Sequence, residues 1–113
     1  MLIELDFPPA RLNPNNRYRC HHAHARVVKK YRHECKLLTQ QQCPAYAGPY
    51  DLLVTFHPPI KRHRDKDNLI AAFKAGQDGI ADAWDVDDSL FNFEYVIGEE
   101  VKNGKTTITR RKK

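Results

Sequence analysis

No run of 18 consecutive apolar residues occurs in the 113-residue chain, which excludes a membrane-spanning helix. The first ten residues, MLIELDFPPA, lack a basic n-region and a long apolar core. No signal peptide is expected. Cysteine is sparse: Cys20, Cys35 and Cys43 are odd in number and have no CxxC spacing. They read as thiols of a reducing compartment, so the expected setting is cytoplasmic and a secreted disulfide scaffold is excluded. Only five glycines are present, without the period of collagen. Internal repeats and low-complexity tracts are absent too. What remains is a single small domain, residues 1–113. Hydrophobic residues make up 41% of it, enough for a core of its own. A chain of this size buries only about two thirds of its unfolded surface, so a second subunit would help it.

Charge is unevenly placed. The chain holds 19 Lys and Arg against 14 Asp and Glu, a net +5. Residues 17–36 carry seven cations and one acid, and residues 102–113 carry six cations and none. Residues 78–100 carry eight acids and no Lys or Arg, which leaves a net +13 on the other 90 residues. A basic body points to a polyanion, with nucleic acid first among the candidates, or to a solvated basic surface. The concentrated acids either form ordinary surface or hold a cation beside the bound polyanion.

The pattern of residues predicts an order β-α-β-α-β-β. Alternation over 2–7, stopped by Pro8-Pro9, gives the first strand. A Pro- and Asn-rich loop follows to Arg19. A helix is expected from about His22 to Gln41, with Val28, Tyr31, Cys35 and Leu38 on one face. Residues 51–57 read as a strand closed by Pro58-Pro59, and the basic loop KRHRDKD comes next. A second helix is expected from Asn68 to Trp84, striped by Leu69, Ala72, Phe73, Gly76, Ile80, Ala83 and Trp84. Gly76 and Gly79 weaken it by about 1 kcal/mol each relative to Ala, so a kink is expected there. A turn, DVDDS, precedes a strand over 90–97. Asn103-Gly104 then signals a hairpin into a last strand over 105–109. The expected fold is a small α/β domain, a mixed sheet with two helices.

Chemistry concentrates in Arg64-Asp65-Lys66-Asp67-Asn68-Leu69. Two carboxylates at i and i+2 point the same way in an extended chain. They enter a helix, whose dipole favours anions. A second pair, Asp87-Asp88, follows that helix. If the flanking strands are neighbours, both groups can converge at one sheet edge. Converging carboxylates repel unless a cation sits between them. Mg²⁺ takes such an oxygen shell, polarises a phosphate and activates water for in-line attack. The bland alternatives are Asp67 as a helix N-cap and Asp87-Asp88 as a turn.

At these residues the sequence resembles the RusA family of Holliday junction resolvases. That family has an Arg-rich run and D-x-D-N-L entering a helix, then an acidic pair about twenty residues on. Here the run is KRHRDKDNL, and Asp87-Asp88-Ser89 lies twenty and twenty-one positions after Asp67. The opening, LDFPPARLNPNNRYR, matches the family's short strand, Pro-Pro and Asn-rich loop. The resemblance implies a RusA-like fold and a Mg²⁺-dependent homodimeric endonuclease, with Mn²⁺ as a substitute metal. Such an enzyme nicks two opposed strands of a four-way DNA junction and needs no small-molecule cofactor and no membrane. A bacterial or phage origin is compatible with it. By position, Asp65, Asp67 and Asp88 match the three metal-binding, catalytic carboxylates. Asp87 takes part or caps the turn, and Asn68 orients a carboxylate or touches phosphate.

One position departs from the family. A Lys is common four residues after the second Asp, and this chain has Ala71 there. Lys74, one turn further on, is the candidate catalytic cation, with Lys61 and Lys66 as alternatives. Asn16, Arg17, Arg19, Lys61, Arg62, Arg64 and Asn68 are the expected DNA contacts. Arg26, Lys29, Lys30 and Arg32 extend the surface expected to follow the sugar-phosphate backbone. The cluster Cys20, His21, His22 and His24 lacks a second ligand pair at finger-like spacing and reads as more of that basic surface rather than zinc. Two rival functions remain: a catalytically silent nucleic-acid-binding module, suggested by Ala71, and a nuclease for flaps, forks or RNA.

Overall fold

The computed structural model describes residues 2–13, 21–61 and 63–111, and of Leu2, His21 and His22 the backbone alone. Strand β1 spans Leu2–Leu5 and helix α1 His21–Gln42, with a 3-10 turn at Ala10–Leu12 between them. Strand β2 spans Asp51–His57. Helices α2, Lys66–Ala72, and α3, Lys74–Trp84, follow. A second 3-10 turn at Asp88–Leu90 leads into β3, Asn92–Ile97, and β4, Lys105–Arg110.

The four strands form one mixed sheet in the order β1-β4-β2-β3. β4 lies antiparallel between β1 and β2, with Ile3 opposite Ile108 and Val54 opposite Ile108. β2 and β3 run parallel, Leu52 beside Phe93 and Phe56 beside Ile97. Along β2, buried and half-buried residues alternate, as they do when helices cover one face of a sheet. Leu52, Val54 and Phe56 point inward with Ile3, Leu5 and Ile108. Tyr31 and Cys35 of α1 meet them, together with Phe73, Ile80 and Trp84. The expected core faces of both helical segments are therefore the ones buried, and Trp84 and Phe73 are core residues. Burial pushes the Cys35 thiol up to about 12, so it is a packing group rather than a nucleophile.

Two expectations are corrected. The single second helix is two, and the break falls at Phe73 instead of the glycines. Phe73 has φ −84° and ψ −4°, and its ring is fully buried against Phe56 and Tyr31. The Phe73 N–H is shared between the Leu69 and Ile70 carbonyls at 3.0 and 3.2 Å, a local tightening of the helix. Gly76 and Gly79 are instead close-approach positions: a Cβ on Gly79 would lie 2.4 Å from the Arg32 carbonyl oxygen of α1.

The Asn103-Gly104 pair does turn the chain, both residues at positive φ and Gly104 donating to the Val101 carbonyl at 2.7 Å. It does not join a β3–β4 hairpin. The connection passes over the end of β2 and delivers β4 to that strand's other side.

Candidate functional site

Asp65 precedes α2 in an extended conformation, and its Oδ1 accepts the backbone N–H of Asp67 at 2.9 Å. Asp65, not Asp67, is therefore the N-cap. Asp67 lies exposed in the first helical turn, where a carboxylate suits the helix dipole. Asn68 beside it is half-buried, and Lys61, His63 and Lys66 are exposed. Arg64 is half-buried, its guanidinium 5.5 Å from the centroid of the Phe7 ring. Asn16, Arg17, Arg19 and Arg62 lie outside the described residues, as does Cys20.

The second acidic pair divides its work. Asp87 caps the 3-10 turn, its Oδ1 accepting from the Ser89 N–H at 2.9 Å. Asp88 is free of that duty and accepts a hydrogen bond from Lys74 Nζ at 2.6 Å. Lys74 also donates to Asp78, one turn on, at 2.8 Å. The bonds to Asp78 and Asp88 raise the Lys74 ammonium above its ordinary pKa. The same bond from Lys74 holds the Asp88 carboxyl below the usual carboxylate range. Lys74 is thus neither a plain solvated residue nor remote from the acids.

Arg32 of α1 completes this cluster. Its Nε and Nη2 donate to the two oxygens of Asp82 at 2.7 and 2.9 Å, and Nη1 stands 4.0 Å from Asp78. This fork is the geometry in which guanidinium binds carboxylate best. The depression between these groups has a volume of about 390 Å³, floored by Ala81 and Val86. Asp78 and Asp82 were not among the expected site residues. Their signal was the i, i+4 ladder of Lys74, Asp78 and Asp82 on one helical face.

No protein-family model matches the chain. It is 32% identical over 114 residues to an uncharacterized protein of Xylella fastidiosa (strain Temecula1), a match covering 95% of this chain and 73% of that protein. The chain belongs to that protein's family. A match of that extent takes in the whole stretch from Asp65 to Asp88.

The three aspartates singled out in the sequence form two groups. The condition for their convergence is met, since β2 and β3 are neighbours. The strands are parallel, however, so Asp65 and Asp67 follow the carboxyl end of β2 while Asp88 precedes the amino end of β3. Among the described residues no three His, Cys, Asp or Glu side chains stand close enough to hold a metal ion. Carboxylate oxygens are the donors Mg²⁺ prefers. Here Asp65 Oδ1 is engaged by the backbone of Asp67, and Asp88 Oδ2 by the Lys74 ammonium, which leaves one oxygen of each carboxylate for a cation. No described helix is long and apolar enough to cross a membrane.

Proposed function

We propose that this chain is a RusA-like endonuclease, hydrolysing phosphodiester bonds in branched DNA and nicking four-way junctions symmetrically as a homodimer in a bacterial or phage-infected cytoplasm. The observation that supports it most is the 2.6 Å bond between Lys74 and Asp88. The two residues lie fourteen positions apart; by the resemblance, Lys74 is the candidate for the displaced family lysine and Asp88 matches the third carboxylate. An ammonium fixed beside an acidic group is what neutralises a phosphate as negative charge builds up on it.

Asp65, Asp67 and Asp88 are the proposed catalytic and metal-binding carboxylates. Lys61, Arg64 and Asn68 are proposed phosphate contacts, as are Asn16, Arg17, Arg19 and Arg62. The proposed metal is Mg²⁺, for which Mn²⁺ can substitute; such an ion, when bound, polarises phosphate and acidifies water. Two-fold symmetry would set two sites against the two equivalent strands of a junction.

The separation of the acidic groups favours a second reading, a structure-specific DNA-binding module without chemistry. One assay divides the two: a synthetic four-way junction with Mg²⁺ or with EDTA, linear duplex alongside, both strands mapped. Paired symmetric nicks that need Mg²⁺ support the resolvase. Unpaired cuts in flaps, forks or RNA support a different nuclease, and tight binding without cuts supports the silent module. For the resolvase, Asp67→Asn keeps fold and junction binding and abolishes nicking. Unchanged cleavage by that variant removes Asp67 from the reaction.

A further inference from the structure

A groove of about 510 Å³ opens beside the first turn of α2, within the range of about 300–1,000 Å³ typical of small-molecule sites. Phe7, Pro8 and Pro9, which follow β1, form one wall, and Pro59 and Ile60 from the loop after β2 form another. The walls are stiff. Prolines have a fixed φ, and Phe7 is braced by an edge contact with Phe56 at 6.5 Å and by the backbone of Gly104. Ile60 stands at the rim with 57% of its surface exposed, an apolar side chain with no share in the core.

Resting on the nucleic-acid reading above, we propose that this groove is a nucleobase subsite, taking one unstacked base of the DNA whose phosphate lies at Asp65 and Asp67. Three observations select that occupant. The walls are largely apolar, from three prolines, Ile60 and the Phe7 side chain, and offer the face of a base an apolar surface, beside a guanidinium that can stack on it too. The surroundings are cationic, with Lys61 and His63 exposed and Arg64 on the wall itself, laid over Phe7. The third is register. Leu69 lines the groove four residues after Asp65, and its N–H bonds to the Asp65 carbonyl. The candidate carboxylate therefore stands one helical turn, about 5.4 Å, above the groove's helical wall, which is the order of the span of the sugar between a phosphate and its base.

The test places 2-aminopurine singly at each position around the branch of a four-way junction. Its fluorescence is followed on binding of the full chain in EDTA and in Mg²⁺, with gel retardation in parallel. A response confined to one or two positions, lost in Ile60→Glu together with about tenfold in junction affinity, is the expected result. Ile60 is exposed, so the substitution leaves the circular dichroism spectrum unchanged; if it does not, the wild-type pattern alone decides. Retarded junction with a uniform or absent probe response overturns the subsite, leaves the nuclease reading standing and points to an apolar peptide as occupant. No retardation at all overturns both.

Discussion

Asp82 and Asp88 sit on one surface of the protein and are set apart by their partners. Asp88 faces an ammonium that also serves Asp78. Asp82 is gripped by both nitrogens of a planar fork. Hydrogen bonding by Arg32 lowers the Asp82 carboxyl below its ordinary value. A carboxyl lowered on folding adds stability above its unfolded pKa, about 3.9, and that contribution goes as pH falls through the lowered value. Both side chains are partly exposed, 48% for Arg32 and 34% for Asp82, so the pair contributes about 1 kcal/mol or less. Arg32→Ala should therefore lower stability by that amount at neutral pH. The gap from wild type should narrow as pH falls below about 3.9; urea titrations at neutral pH and in acid measure it. The acidic motif was legible as a motif, but not the division of labour within it. Which aspartate caps a turn and which meets a lysine depends on backbone angles and on a partner fourteen residues away.

Helix α3 packs on α1 through a stripe that contains Gly76 and Gly79. Read along the chain, glycines in a helix mark weakness; in the folded protein they mark closeness. An added Cβ at Gly79 meets the Arg32 carbonyl oxygen at 2.4 Å and the Cys35 Cβ at 3.0 Å, and neither backbone nor a buried neighbour can yield cheaply. Gly79→Ala should cost about 1–3 kcal/mol despite its better helix propensity, seen as a lower denaturant midpoint. If stability rises instead, the two helices are not in contact there. The elements themselves were legible because alternation and 3.6-residue stripes are local signals. The break at Phe73 was not, since in the sequence Phe73 is one more residue of the apolar stripe, and only its backbone angles end α2 there.

Taken whole, the molecule carries a basic body and an acidic segment partly neutralised by Lys74 and Arg32, which pair with Asp78, Asp82 and Asp88. Among the described residues, further exposed cations stand around the entrance to α2, at Lys61 and Lys66, and along α1, at Arg26, Lys29 and Lys30. Junction binding should weaken steeply with salt, log affinity falling linearly with log salt, because each phosphate contact releases a counterion. A flat dependence between low and physiological salt would show that these cations do not meet phosphate. Composition, the order of strands and helices, the inward faces and the acidic motif were all present in the chain as written, because each depends on a residue and its near neighbours. Strand order was not. The Asn-Gly signal is local and turned the chain as expected, but the place of β4 between β1 and β2 rests on pairings such as Ile3 with Ile108. The meeting of Lys74 with Asp88, and the groove walled by the segments that follow β1 and β2 and by α2, arise from the same source: packing across distant parts of the chain, where the parallel run of β2 and β3 chooses among arrangements that local pattern leaves equal.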